Sequence, residues 1–207
     1  MVLGAVRIFQ PAHGYFIRRE LLTWGVEQWA NVNPGSIYNA LRTLTREGYL
    51  TETPAEKARG GGQSRTTYQL TVDGNTHFLT LLRRSIWQPD QYDTSNLLGG
   101  LSFMHFLTRD EVISAMEARA GALRNILSES QHSMRSAEET RVIPAQTFEL
   151  WFVSHERLKG ELTWSEQLVG RLRQGYYRFT PEPGWDTGPA PDGTWPGPLD
   201  KADAIQT

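Results

Sequence analysis

Cysteine is absent from the 207 residues, which excludes a disulfide framework and any thiolate metal site. Long hydrophobic runs are absent too, and none approaches the ~20 residues a membrane-spanning helix needs. The start, Met1-Val2-Leu3-Gly4-Ala5-Val6-Arg7, lacks a basic stretch followed by a long apolar one. These absences lead to the expectation of a cytoplasmic protein with no membrane partner. Histidine is scarce and scattered: of the five, at 13, 77, 105, 132 and 155, none stands four residues from another. His155-Glu156 begins like a zinc-protease helix, but Lys159 occupies the place of the second ligand. His155 therefore reads as a bonded core or interface histidine. Gly100-Leu101-Ser102-Phe103-Met104 lacks the closing glycine of a nucleophile elbow, and no Lys-Ser/Thr follows Gly60-Gly61-Gly62 to make a phosphate cradle. No catalytic residue, metal site or cofactor is expected, and the chain does not read as an enzyme.

What is present is ordinary for a globular chain: 39% hydrophobic and 21% charged residues, enough for one large or two small domains. The net charge of −2 hides an asymmetry, because residues 1–86 carry ten Lys and Arg against six Asp and Glu. The excess negative charge lies in the remainder. A basic N-terminal part on an acidic chain suggests that one end meets a polyanion.

Residues 33–48 organise this basic part. Asn33 can cap the first free amides, Pro34 suits the first helical position, and Gly48 ends the run. At 3.6 residues per turn Ile37, Leu41 and Leu44 share one face with Ala40 at its edge. Asn39, Arg42, Thr43 and Arg46 point the other way, offering amide, hydroxyl and guanidinium groups of the kind that bond base edges and phosphates. An ordinary solvated surface helix would present the same polarity.

Before this helix, Leu3, Val6 and Phe9 recur at helical spacing until Pro11, and Tyr15 to Thr23 forms a second amphipathic segment with Ile17 and Leu21 on one side. Val26 to Trp29 reads as a linker, with Trp29 anchoring it on the core. After Gly48 the period changes: Tyr49 to Thr53 and Arg65 to Leu70 alternate around a flexible polar tip, Lys57-Ala58-Arg59-Gly60-Gly61-Gly62-Gln63-Ser64. Three helices followed by a hairpin is the order of a winged helix, whose third helix enters the major groove while the hairpin tip touches the flanking backbone. Thr71 can cap a further helix through Phe78, Leu81, Leu82 and Ile86 to Trp87, and Gln88 to Asp93 is the expected boundary.

The second part reads as helical throughout. A short apolar helix over 97–107 is interrupted at Gly99-Gly100, and Thr108-Arg109-Asp110-Glu111 makes a capping box. A long stripe of Val112, Met116, Ala120, Leu123 and Leu127 runs to Ser130, with a polar break over 133–141. Pro144 opens a last helix whose stripe is Phe148, Trp151, Phe152, His155, Leu158, Leu162 and Leu168 or Val169, stopped at Gly175. Long striped helices with no sheet to cover them call for an intersubunit bundle and hence a homodimer. Residues 175–207 hold six prolines and five glycines, the composition of a disordered tail, with Tyr176, Tyr177, Phe179, Trp185 and Trp195 as aromatic residues that could dock on the bundle or on a partner.

The run His13-Gly14-Tyr15, then Trp29, Gly35-Ser36-Ile37-Tyr38-x-Ala40-Leu41-x-x-Leu44-x-x-Glu47-Gly48-Tyr49-Leu50, then Tyr68-x-Leu70-Thr71-x-x-Gly74 resembles the PadR family of winged-helix transcriptional regulators. The resemblance covers most of residues 1–86, with one departure: the wing is diluted by Gly61, Gly62 and Gln63 and lies near Glu52 and Glu56. It implies a regulator that binds a double-stranded DNA operator, acts as a repressor because occlusion needs only binding, dimerises through long C-terminal helices, and senses a small aromatic effector.

The expected fold is thus mainly α with a small β-hairpin: a winged-helix DNA-binding domain over 1–87, a helical dimerisation and effector domain over 93–174, and the tail over 175–207. The expected DNA-binding residues are Ser36, Tyr38, Asn39, Arg42 and Arg46 on the helix and Lys57, Arg59 and Arg65 in the wing. Trp87, Phe103, Trp151 and Trp164 are candidates to line an effector cavity between the domains, although the same rings could simply fill the core. A winged helix used for protein contact, without specific DNA binding, is the alternative function.

Overall fold

The computed structural model describes residues 1–30, 32–54, 66–140, 144–177 and 179. The elements follow in the order α1 (Val2–Phe9), β1 (Ala12–His13), α2 (Gly14–Thr23), α3 (Val26–Trp29), α4 (Pro34–Arg46), β2 (Leu50–Pro54), β3 (Thr66–Leu70), α5 (Val72–Trp87), α6 (Ser95–Phe103), α7 (Arg109–Thr140) and α8 (Phe148–Arg173). Short 3-10 turns at Met104–Phe106 and Ala145–Thr147 precede the two long helices. The fold is mainly helical with one small sheet, an N-terminal winged helix followed by a helical C-terminal part.

Local signals place several helix ends. The Asn33 side chain accepts from Gly35 N at 2.9 Å, and Thr71 Oγ1 accepts from Gly74 N at 2.9 Å. Thr108 and Glu111 cap reciprocally: Thr108 N donates to Glu111 Oε2 at 2.9 Å and Glu111 N to Thr108 Oγ1 at 3.2 Å. Gly48 has φ 78° and Gly175 φ 74°, the left-handed conformation that stops α4 and α8 at low steric cost.

The hairpin of β2 and β3 is antiparallel, from Leu50 opposite Leu70 to Pro54 opposite Thr66. β1 adds a third strand on the other edge of β3, with Ala12 opposite Tyr68, giving the order β1-β3-β2. Two residues are too few to alternate visibly, so this strand does not show in the sequence pattern. Val26–Trp29, expected as a linker, forms a single helical turn, and Trp29 Nε1 donates to Trp24 O at 3.0 Å as an anchor on the core.

Arg109 meets Leu172, Arg124 meets Glu166, and Gln131 and Glu138 line a groove with Phe148 and Phe152, so α7 and α8 run in opposite directions and form an antiparallel hairpin. Its base is continuous with the winged part. One core joins Leu3, Val6, Ile17, Ile37 and Leu41 to Ile86, Phe103, Met116, Leu168 and Leu172. Further along the hairpin Leu123, Leu127 and Leu158 form a small separate cluster.

Three expectations about the helical part need correction. The polar break over 133–141 is absent up to Thr140, because α7 continues to that residue. Met134, Arg135, Ala137, Glu138 and Glu139 are good helix formers, and what ends near Leu127 is the buried stripe, not the helix. α6 runs unbroken through Gly99-Gly100, since Gly100 packs where a Cβ would stand 2.5 Å from Ser85 Oγ. On α8 the stripe is not purely apolar: Phe152 is exposed while Glu161 and Ser165 are buried.

Of the segment 175–207, the described residues are 175–177 and 179. There Phe179 is fully buried under the Arg109 guanidinium, 5.1 Å from its ring centroid, and Arg109 also donates to Leu172 O at 2.8 Å and to Tyr177 O. These residues pack on the core. Trp185 and Trp195 lie outside the described residues.

Candidate nucleic-acid interface

The α4 helix is seated by Ile37 and Leu41, both fully buried, with Leu44 half-buried beside them. Ser36, Tyr38, Asn39, Arg42 and Arg46 are exposed, so the structure brings these five expected residues to one outward surface. Ser36 Oγ donates to Asn33 O at 2.7 Å and keeps its lone pairs as acceptors, while Asn33 already takes the Gly35 and Ser36 amides. Arg42 donates from Nη2 to Asn39 Oδ1, tying the two candidate base readers to each other across one turn.

The surface is built at Gly14, the first residue of α2. A Cβ there would stand 3.3 Å from both Leu41 Cδ1 and Tyr68 Cε2 and 3.4 Å from Tyr38 Cε1, so α2, α4 and β3 converge on a residue without a side chain. Tyr15 follows it and is 63% exposed, while Tyr38 is 41% exposed. Tyr15 is an addition to the expected set. Its signal was the His13-Gly14-Tyr15 run, but periodicity gave it no role because it stands opposite the buried Ile17 face.

The Tyr68 hydroxyl of the hairpin lies within reach of charges on both helix and hairpin. Burial, and next the Glu52 carboxylate across the strand pair, push the Tyr68 hydroxyl up from its ordinary value, while the positive Arg42 opposes them.

The far end of α4 is clamped to the start of α5. Tyr49 N donates to Leu44 O at 2.9 Å, Thr71 N to Tyr49 O at 3.1 Å, and Thr71 Oγ1 to Gly48 O at 2.8 Å. The Tyr49 and His77 rings stack at 4.2 Å and 4°. Lys57, Arg59 and Arg65, the expected wing contacts, lie outside the described residues.

Of the four candidate effector residues, Trp87, Phe103 and Trp164 belong to or pack on the main core, and Trp151 stands apart from them. Phe103 is buried in the main core against Trp24 and Phe78, with ring centroids 6.0 and 5.7 Å away, and its ring occupies the space a Cβ of Gly4 would need. Trp87 and Trp164 are half-buried against that core, whereas Trp151 packs edge-on against Phe148 near the start of α8. Among the described ring pairs none joins two of the four. An open groove of about 570 Å³ lies elsewhere, between Gln131, Met134, Arg135 and Glu138 of α7 and Phe148 and Phe152 of α8. His155 is buried, but its Nδ1 has no partner among the described residues, so the expected bond is not found there. No group of three or more His, Asp or Glu that could hold a metal ion occurs among the described residues, and no helix there is long and apolar enough to cross a membrane.

Residues 2–79 match the model of the transcriptional regulator PadR-like family. No curated protein matches the chain. Among solved structures, Bacillus subtilis PadR in complex with operator DNA is 21% identical, over 83% of this chain and 94% of that one, with a TM-score of 0.37. The PadR-like transcriptional regulator BC1756 from Bacillus cereus is 14% identical, over 79% and 91%, with a TM-score of 0.37. Bacillus subtilis PadR in complex with p-coumaric acid is 20% identical, over 83% and 96%, with a TM-score of 0.34.

Proposed function

We infer that this chain, whose residues 2–79 belong to the transcriptional regulator PadR-like family, is a sequence-specific DNA-binding regulator that works as a homodimer. The observation that carries the reading is the outward face of α4, where Ser36, Tyr38, Asn39, Arg42 and Arg46 are exposed on a helix held from behind by Ile37 and Leu41. A rigid helix with a free polar face is what entry into a major groove requires. Ser36 and Tyr38, near the helix start, suit phosphate; Asn39 and Arg42 suit adenine and guanine edges. Lys57, Arg59 and Arg65 supply backbone contacts from the wing.

Dimerisation is assigned to the hairpin of α7 and α8. Leu150 and Val153 are 67% and 69% exposed beside Phe152, and the open groove next to them is lined largely by apolar surface. An apolar strip of this kind, exposed at the end of the hairpin away from α5, suits burial against a second copy. Such a dimer presents two copies of α4 to a palindromic site. Occlusion of a promoter then suffices for repression, and release by a small aromatic compound completes the regulatory cycle.

The deciding experiment is a gel shift of the full chain on DNA from upstream of its own coding region, against scrambled DNA of equal length, with and without phenolic acids. Specific retention, relieved by a phenolic acid, is the expected result. Equal affinity for both DNAs would leave the winged helix as a protein-contact module.

A further inference from the structure

The most deeply buried charge among the described residues lies away from the outward face of α4. Arg119 of α7 is 1% exposed, and its Nε and Nη2 both meet Glu161 Oε1 of α8, at 2.8 and 2.7 Å. Its Nη1 reaches three backbone carbonyls at the end of α5, Ser85 O at 3.4 Å and Ile86 O and Gln88 O at 3.0 Å. The last carbonyls of a helix have no partner within it. One guanidinium supplies them here while being neutralised from another helix.

A guanidinium is planar, with its donors in a fixed fork, and it stays charged in proteins. It can satisfy the carbonyls and the carboxylate together at only one relative placement of α5, α7 and α8. Apolar contact, being non-directional, would tolerate sliding at the same junction. The other Glu161 oxygen, Oε2, is buried with no partner among the described residues, so the desolvated carboxylate serves Arg119. From the opposite side α6 leaves no slack, since a Cβ on Gly100 would stand 2.8 Å from Ile86 Cγ1. The chain beyond is fixed as well, by Arg157 of α8 donating to Gln91 O.

The other end of α5 is clamped to α4 through Thr71 and Gly48, so the angle at the last turn of α5 is carried to the DNA-facing helix. α5 has 16 residues. At ~1.5 Å rise per residue, a tilt of roughly 10° about one end moves the other by about 4 Å. That is close to one base-pair rise of ~3.4 Å.

We propose that the Arg119–Glu161 pair sets the angle at which the winged domain leaves the helical hairpin, and thereby the spacing of DNA half-sites that the protein accepts. The proposal rests on the DNA-reading dimer inferred above. Both residues are positioning residues, acting on DNA through α5 and α4.

The test uses the full chain. Selection from random-sequence DNA with the wild type yields a half-site, which is then built into inverted repeats whose spacers grow in single base-pair steps. The wild type should prefer one spacing over those two base pairs away by roughly tenfold or more, the scale of a mismatch penalty. Glu161→Gln and Arg119→Met should flatten that preference to within about threefold, whereas Arg124→Met, which removes an exposed pair with Glu166 on the same two helices, should keep it. If Arg119→Met fails to fold, the near-isosteric Glu161→Gln carries the test. Because the chain has no cysteine, a spin label at Val72→Cys adds the distance distribution between the two protomers, which should broaden in Glu161→Gln. Variants that fold and weaken by one common factor at every spacing, or that keep the wild-type preference, overturn the proposal. Failure of the wild type to select any half-site would instead overturn the DNA-reading function, and the spacing role with it.

Discussion

Arg42 and Asn39 are bonded to each other, guanidinium to amide oxygen, across one turn of the exposed face of α4. Each restricts the rotamers of the other, so the two side chains hold one another on the outward face of the helix.

Readout should therefore be coupled. Asn39→Ala or Arg42→Ala is expected to cost about 1–3 kcal/mol on the specific site and to relax the preference at one base pair. The double variant should cost less than the sum, since each single change also frees the remaining partner. Lys57→Ala, Arg59→Ala or Arg65→Ala should instead weaken all sequences alike and lower the salt dependence by roughly one phosphate contact each. Binding to operator and scrambled DNA across a salt series checks both. Equal losses on both DNAs for Arg42→Ala and Arg59→Ala would sink the division between helix and wing.

Gly74 is required by contact and not by its dihedral angles. A Cβ at Gly74 would overlap the carbonyl oxygen of Tyr49, which already accepts from Thr71 N. Gly74→Ala should destabilise by about 1–3 kcal/mol or more, the range for forced overpacking. Gly121→Ala on α7, where a Cβ meets nothing within 4 Å, should stabilise by roughly 0.5–1 kcal/mol through helix propensity. Denaturant midpoints of the two variants should move in opposite directions.

Acid sensitivity should begin at His105. Burial, and then the positive Arg7, lower its pKa from 6.5 to about 4. The unfolded chain binds this proton and the folded chain resists it, so the contribution is fully present above pH 6.5 and is lost as pH falls toward about 4. Glu111, held low by the Thr108 backbone bond and Arg83, adds a loss that belongs to still lower pH. His105→Gln should flatten the stability profile between pH 6.5 and 4 while leaving the steeper fall below it. An unchanged profile in that variant would count against the assignment.

A chain ending at Trp87 should be monomeric and only marginally folded. Phe78, Leu82 and Ile86, buried on α5, pack in a core that includes Phe103, Leu107, Val112 and Met116 from beyond that point. Leaving such side chains in water forfeits roughly 1.5–3 kcal/mol each. Sedimentation should find no dimer, and thermal melting should be well below that of the full chain. A stable dimer of residues 1–87 would remove the assignment of dimerisation to α7 and α8.

Features written within a few residues of one another were legible in the sequence. Asn33, Thr71 and the Thr108–Glu111 box cap their helices as their positions imply, because a cap bonds amides two or three residues away. The two faces of α4 followed from 3.6-residue spacing, and the hairpin from alternation. β1 was too short to alternate, and α7 outran its apolar stripe because propensity sustains a helix after burial has stopped.

The sequence by itself determined the order of the longer elements, several helix caps and the outward set on α4, since these depend on local hydrogen bonds and periodicity. Only the tertiary structure decided where distant groups meet. Arg119 stands within the α7 stripe, where a charge looks like an interruption, and its counterion Glu161 is 42 residues away on α8. Likewise Trp87, Phe103, Trp151 and Trp164 carry nothing in their spacing to say whether they converge; packing sends Phe103 into the winged core and Trp151 to Phe148. Long-range pairing is set by which burial arrangement leaves no charge and no volume unmatched, a property of the whole packed chain and not of any window of it.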